Sequence, residues 1–296
     1  MLERMLNRFP LASRIVASAL MTVAVLALLE WSLSDDEWSS MYRGDPHSMW
    51  WLKGGLDLPA VPHLEEGTTF SVVTNELGLR DGLMPAASPW VLALGCSTTF
   101  GWGVEAEQAW PAVLERELGV PVVNGGIPGH STHQGRQVLA SLLGTAPDVI
   151  IFGWGLRDAQ WSTIPDSQRT SPSFPRSTAL YRALRHKLQT PIVSKGTLPR
   201  VSKAEFEENL KVMVGLAESA GSDVILLDMT ARADAPTHGD VLTRIGPPVV
   251  VPELVDSMVF EYDPIHLNEE GNEALAVMLA RPISVILEQR EGRQQD

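Results

Sequence analysis

One cysteine, three tyrosines and a shortage of positive charge mark this chain of 296 residues. A single thiol, Cys96, excludes an intrachain disulfide framework and a multi-thiolate metal site. Lys and Arg number 23 against 36 Asp and Glu, a formal net charge of -13. With no basic stripe to offset it, such a surface repels a phosphate backbone, which argues against nucleic acid as a partner. No G-x-x-x-x-G-K phosphate cradle, H-x-x-x-H or C-x-x-C occurs, so neither a metal nor an organic cofactor is expected. Hydrophobic residues at 44% and charged ones at 20% are ordinary for a globular protein. That balance excludes wholesale disorder and a collagen-like or coiled-coil chain. At about 150 residues per domain, the length suits one large domain with a smaller appendage.

The amino terminus is of a different kind. Ile15 to Leu29 is an uncharged run of 15 residues, IVASALMTVAVLALL, about 22 Å long as a helix and short of a hydrocarbon core of about 30 Å. Extended from Leu11 to Leu33 it has 23 residues, with Arg14 able to snorkel toward one headgroup layer and Trp31 placed at the other. Arg4, Arg8 and Arg14 precede the run, and Glu30, Asp35, Asp36 and Glu37 follow it. The positive-inside bias then puts the amino terminus in the cytoplasm and the main domain in the periplasm or outside the cell, held in the inner or plasma membrane by residues 11–33. A cleaved signal peptide competes with this anchor, since a basic n-region and a short h-region fit one, although no clear A-x-A site follows. A buried core helix would not need the arginine asymmetry.

Organisation beyond the anchor follows composition. Residues 1–34 form the cytoplasmic end and the span, and 35–88 a small prelude with several prolines and brief apolar alternation, as in TTFSVVT. The aromatic cluster WSSMYRGDPHSMWW within it is expected to pack on the main domain. Residues 89–288 form that domain, with an insertion at 160–203, and 289–296 a solvated tail. WVLAL, VVN, DVIIFGW and DVILLDM read as buried strands, alternating with helices at about 108–118, 133–143, 204–220 and 269–279, the last capped by Asn268. Unbroken apolar strands alternating with helices imply a parallel sheet covered on both faces, with the chemistry beyond the carboxyl ends of its strands.

Those strand ends carry one constellation. LGCSTTFGWGV places Ser97 at a strand-to-helix turn, and VVNGGIPGHST supplies glycines that let the backbone approach a ligand. FGWGLRDA adds a charged pair, and far downstream YDPIHLNEEGNEALA sets Asp263 and His266 three residues apart before a capped helix. Serine, histidine and aspartate thus stand where a parallel α/β fold can bring them together. Each has a plainer reading: Ser97 as a helix cap, His266 as a surface or satisfied core histidine, Asp263 as a turn former.

These blocks resemble the SGNH/GDSL hydrolase family over about Trp90 to Ala280. GCSTTFG is similar to G-D-S-x-T-x-G, with Ser97 at the nucleophile and Cys96 in place of the family aspartate. NGGIPG is similar to N-x-G-x-x-G and assigns Gly126 to the oxyanion hole, and Asp263 and His266 match D-x-x-H. TNELGLRDG resembles the N-G-hydrophobic-R element of membrane-anchored, exported members. One block departs: where the family has G-x-N-D, Gly155-Leu156-Arg157-Asp158 puts Arg157 at the asparagine. Loss of such a donor costs about 2.7–4 kcal/mol of transition-state stabilisation unless the guanidinium replaces it.

The resemblance implies a flavodoxin-like three-layer α/β fold, with an N-terminal transmembrane helix and a small β-containing prelude, and a serine esterase built on Ser97, His266 and Asp263. The oxyanion donors it implies are Ser97, Gly126 and Arg157. Trp102, Trp154 and His130 lie near the blocks as weaker substrate-binding candidates, against a plainer role in packing. The expected substrate is an O-acylated glycan or a lipid-like ester. An acyltransferase using the same triad, and a catalytically weak binding or scaffold protein, are the alternatives.

Overall fold

A computed structural model describes residues 11–32, 40–45, 47–63, 67–80, 82, 84–85, 87–169, 196–229 and 238–295. These residues fall into two units, one holding helix α1 and the other the described chain from Arg43 onward. Helix α1 spans Leu11–Ser32. It is the one helix among the described residues that is long and apolar enough to cross a membrane.

The second unit is built on five parallel strands. They are β5 (Val91–Gly95), β6 (Val122–Gly126), β7 (Val149–Gly153), β10 (Asp223–Leu227) and β11 (Val249–Val250), in the spatial order β11-β10-β7-β5-β6. Their short runs of Val, Ile and Leu have no polar face, because helices cover both sides. Helices α3 (Trp110–Leu118) and α6 (Glu269–Gln295) lie on one face, where Trp110, Leu114, Leu275, Leu279 and Ile283 meet Val91, Ala93, Ile151 and Ile225. Helices α4 (Thr132–Leu142) and α5 (Lys203–Ser219) pack together elsewhere in the unit, burying Val138, Leu139, Phe206, Leu210 and Met213. The chain starts in β5, goes to β6 at one side and crosses back to β7 at the other, so the topological switch lies between β5 and β7. Ligands of open α/β sheets bind at such a switch, beyond the carboxyl ends.

Those three strands end side by side in glycine, with Gly95 in register with both Gly126 and Gly153. The reason is steric. Helix α2 (Ser97–Phe100) folds back over the strand ends, where a Cβ on Gly95 would lie 2.1 Å from Thr99 Oγ1 and one on Gly126 2.2 Å from the Phe100 nitrogen.

The prelude is two short ladders, β1 (Tyr42–Asp45) with β2 (Met49–Leu52), and antiparallel β3 (Asp57–Pro62) with β4 (Thr69–Val73). Of its tryptophans, Trp50 donates to the Pro128 carbonyl of the main domain at 3.1 Å and Trp51 is buried and donates within the prelude to that of Leu77 at 2.8 Å, while Trp38 lies outside the described residues. Arg80 then bridges antiparallel to Asn124 of β6.

One element runs past its expected end. Helix α6 continues through Pro282 to Gln295, and Arg290 pairs with Asp148 at 3.2 Å and Asp223 at 2.7 Å. Residues 289–295 are therefore the last turns of a docked helix, a pairing invisible in a polar terminal string. Within the 160–203 insertion, β8 (Trp161–Ser162) pairs with β9 (Leu198–Pro199), and residues 170–195 lie outside the described residues.

Candidate active site

Ser97 opens α2 directly after β5, with Cys96 extended at the cap and buried. The turn is held from beyond. The Arg80 guanidinium, 1% exposed, donates to the carbonyls of Phe100 (2.5 Å), Gly101 (2.6 Å) and Val104 (2.6 Å), and its carbon sits 4.3 Å from the centroid of the Phe100 ring. A cation on the last carbonyls of a helix satisfies orphan acceptors and complements the dipole. Gly101, with φ 79, closes the helix in the left-handed conformation.

Asp263 and His266 both come from β13 (Asp263–Leu267), which pairs antiparallel with β12 (Val259–Phe260). Asn268 follows as the cap of α6, accepting from Gly271 at 3.0 Å. His266 Nε2 lies 2.8 Å from Ser97 Oγ, and His266 Nδ1 lies 2.5 Å from Asp263 Oδ2. The partners fix the tautomer: Nδ1–H donates to the carboxylate, leaving Nε2 to accept from the hydroxyl.

The electrostatics agree with that order. Burial works to raise the Asp263 pKa, but the His266 hydrogen bond and the neighbouring imidazoles outweigh it and hold the carboxyl below its usual range. Burial pushes the His266 imidazole down; Asp263 opposes this, and Arg157 and His63 add to it. His266 is therefore neutral near pH 7 and able to take a proton.

Arg157, just after β7, reaches toward the same serine, with Nη2 3.5 Å from Ser97 Oγ and Nη1 3.5 Å from Gln160 Oε1. These are contacts at the outer limit of a hydrogen bond. Among the described residues its Nε is buried with no partner.

A second polar cluster lies beside this line. Asp158 accepts from the Thr132 amide (2.9 Å), the Thr132 hydroxyl and the Gly155 amide (3.2 Å), and burial raises its pKa. Asp166 pairs with Arg200 at 2.8 Å and accepts from Ser131 Oγ at 2.7 Å. Arg200 also donates to the Gly129 carbonyl at 2.8 Å, so the cluster anchors the loop between β6 and α4.

Among the described residues one group could offer a metal three donor atoms, His63, Asp263 and His266, all within 4.8 Å of one another. The 2.5 Å between His266 Nδ1 and the carboxylate is a hydrogen bond. Two ligands of a tetrahedral zinc, each about 2.0–2.2 Å from the ion, would stand about 3.3 Å apart.

The model of the GDSL-like lipase/acylhydrolase family matches residues 93–274. The chain belongs to that family. Solved structures similar to it include the esterase EstA from Pseudoalteromonas sp. (TM-score 0.48, 14% identity, 68% of this chain and 100% of that one). TesA is similar too (0.48, 20%, 67% and 99%), as is a catalytic mutant of an acetylxylan esterase from Geobacillus stearothermophilus (0.44, 16%, 68% and 96%). No curated protein matches.

In this GDSL-family chain three sequence assignments are corrected. The Gly126 amide donates to Asn124 Oδ1 at 3.0 Å, so it is already engaged and is not a ready oxyanion donor. Trp154 is 2% exposed, and its ring fills the place where a Cβ on Gly135 would stand, 2.7 Å away. It is a core residue, unable to stack on a sugar. His130 is fully buried, 2.9 Å from the Trp50 carbonyl through Nε2, and burial pushes its pKa down to about 3, so it is a structural strut. Trp102 is partly exposed and lies 6.5 Å from the His266 ring, centroid to centroid. Nothing in the sequence signals His63, and the arginine of TNELGLRDG, Arg80, had no role assigned to it.

Proposed function

We propose that this chain is a membrane-anchored serine ester hydrolase acting outside the cytoplasm on an O-acylated glycan or a lipid-like ester. The observation that carries this reading is the hydrogen-bonded line from Asp263 through His266 to Ser97 Oγ. Neutral His266 accepts the Ser97 proton at Nε2 as Oγ attacks the acyl carbonyl, and Asp263 orients the ring and stabilises the imidazolium. His266 then gives that proton to the leaving alkoxide. Water, deprotonated by the same nitrogen, releases the acyl group.

The oxyanion needs donors aimed at it. The Ser97 amide is one, as a first-turn amide that the helix itself leaves unpaired. The Arg157 guanidinium, beside Ser97 Oγ, is the other. The extracytoplasmic setting rests on α1 together with the arginines before it and the acids after it. The lipid or glycan substrate is inferred from that setting.

The test is intact-mass analysis of the detergent-solubilised full chain after treatment with a fluorophosphonate. One adduct is expected on Ser97, absent from Ser97→Ala. An adduct on another serine, or none on a folded sample, overturns the assignment.

A further inference from the structure

We propose that His63, from the prelude, is a positioning residue for Asp263, so that the reacting line has four members running His63, Asp263, His266, Ser97. The inference rests on the serine-hydrolase reading above and adds a residue outside the region that the family model matches.

The geometry is a built slot. His63 follows β3, and its amide donates to the Thr68 carbonyl at 2.9 Å, which ties it to the start of β4. The imidazole lies against the Phe260 ring, with centroids 4.4 Å apart. Beside both rings the chain runs past as Gly103, with φ +96, where a Cβ would stand 2.8 Å from both His63 Nε2 and Phe260. Hairpin, post-nucleophile loop and the turn before Asp263 thus close around one ring. Its side chain is fully buried, and Nε2 lies 3.3 Å from Asp263 Oδ2, the same oxygen that His266 Nδ1 approaches at 2.5 Å.

Two imidazoles on one carboxylate oxygen have two consequences. The first is mechanical: the buried His63 ring limits where the Asp263 carboxylate can move, so His266 is held at hydrogen-bond distance from Ser97. The second is electrostatic. The His63 ring, 3.3 Å from Oδ2, works against the negative charge that would otherwise raise the basicity of His266. The titratable and charged groups that face His266 are Asp263 on its own strand, His63 from the prelude and Arg157 after β7, beside the Ser97 hydroxyl. Of these, only Asp263 raises the imidazole pKa. Taking His63 away leaves that pull stronger and moves His266 upward.

The test uses the detergent-solubilised full chain with His63→Phe, which keeps a ring against Phe260, and His63→Gln, which keeps an N–H donor. Fluorophosphonate labelling of Ser97 is followed against pH, with thermal melting as the check on folding. His63→Phe is expected to label about tenfold to a hundredfold more slowly, the loss of one polar contact to a buried carboxylate. Its acidic limb moves to higher pH, and His63→Gln recovers most of the rate with the limb near that of the parent. Equal slowing in both variants with an unmoved limb would mean packing alone and overturns the proposal, as would full-rate labelling of His63→Phe. If His63→Phe does not fold, His63→Asn, whose amide is too short to reach, takes its place beside His63→Gln. If the parent chain does not label at all, the hydrolase reading fails separately. The His266 titration, read by NMR of 15N-labelled imidazoles in parent and variant, still decides the positioning role: an upward shift supports it and an unchanged titration overturns it.

Discussion

Asp158 and Asp166, which follow β7, and Asp263, which opens β13, are all buried carboxylates. In the first pair, both oxygens of each carboxylate receive donors from within the cluster: Thr132 and Gly155 on Asp158, Arg200 and Ser131 on Asp166. Those hydrogen bonds close on themselves and on the backbone of the 129–132 loop. Around Asp263 they run in one direction, from carboxylate to imidazole to hydroxyl, and end beside a guanidinium. Burial of charge therefore does not separate scaffold from chemistry here. Direction does: a satisfied cluster fixes a loop, and an open line can deliver a proton.

The sharpest way to break this comparison is to cut each side. His266→Ala removes the base and is expected to lower kcat toward p-nitrophenyl acetate by roughly 10⁴-fold or more, with Ser97→Ala alike and the double variant no worse than either, because the groups act as a unit. Initial rates on melt-matched samples check it. Retention of a tenth of the parent rate by either variant would remove the line from the chemistry.

Cutting the closed cluster should read out in stability instead. Asp166→Ala leaves the Arg200 guanidinium, 8% exposed, without its carboxylate. The expected cost is about 3–5 kcal/mol of unfolding free energy, seen in urea denaturation. Activity per folded molecule should fall only a few-fold. A hundredfold fall at unchanged stability would mean that the two clusters have exchanged roles.

Acid sharpens the contrast further. The His266 pKa is held below 6.5, first by burial, so kcat/KM should rise with pH through a limb below that value and be flat near neutrality. The same shift has a sign for stability. A folded pKa below the unfolded one makes folding less favourable as pH falls below 6.5, because the buried ring must then be charged. Asp263 acts in the same direction at lower pH: its depressed pKa contributes stability above the unfolded carboxyl value, lost as pH falls through the folded one. A pH profile of kcat/KM with its limb above 6.5 contradicts this assignment.

Much of this was readable in the chain because it depends on short-range physics. Apolar runs bounded by Gly and Pro mark β5, β7 and β10, and Asn268 marks the start of α6. Ser97, Asp263 and His266 lie in blocks of distinctive local spacing. What stayed hidden depends on partners far apart. His63 meets Asp263 across about two hundred positions, and Arg80 looks like a charged loop residue until the carbonyls of 100–104 surround it. Gly126 was misread for the reverse reason: its amide is claimed two residues away, by Asn124. Trp154 shows that composition cannot tell a stacking tryptophan from one that fills the space over a glycine.

The smallest expected effect, and the one that divides two uses of a single side chain, lies at Arg157. Its Nη2 is 3.5 Å from Ser97 Oγ, too long for a strong bond to the resting hydroxyl, yet the Nε behind it is buried without a partner. A donor held slightly back from the ground-state oxygen can tighten as negative charge develops, which is what transition-state stabilisation requires. Arg157→Lys keeps the charge and loses the planar fork. If the guanidinium serves the oxyanion, the change should lower kcat about tenfold to a hundredfold for neutral and acidic esters alike, with KM steady. If it binds an anionic part of the substrate, KM should rise for acidic esters only. Arg157→Asn, which restores the family's side chain, separates the two again: kcat toward neutral esters holds or rises in the first case, and acidic esters alone suffer in the second. The resting geometry favours the oxyanion role, because the fork stands beside the nucleophile itself. Unchanged kcat and KM for both ester types in both variants would place Arg157 outside the reaction altogether.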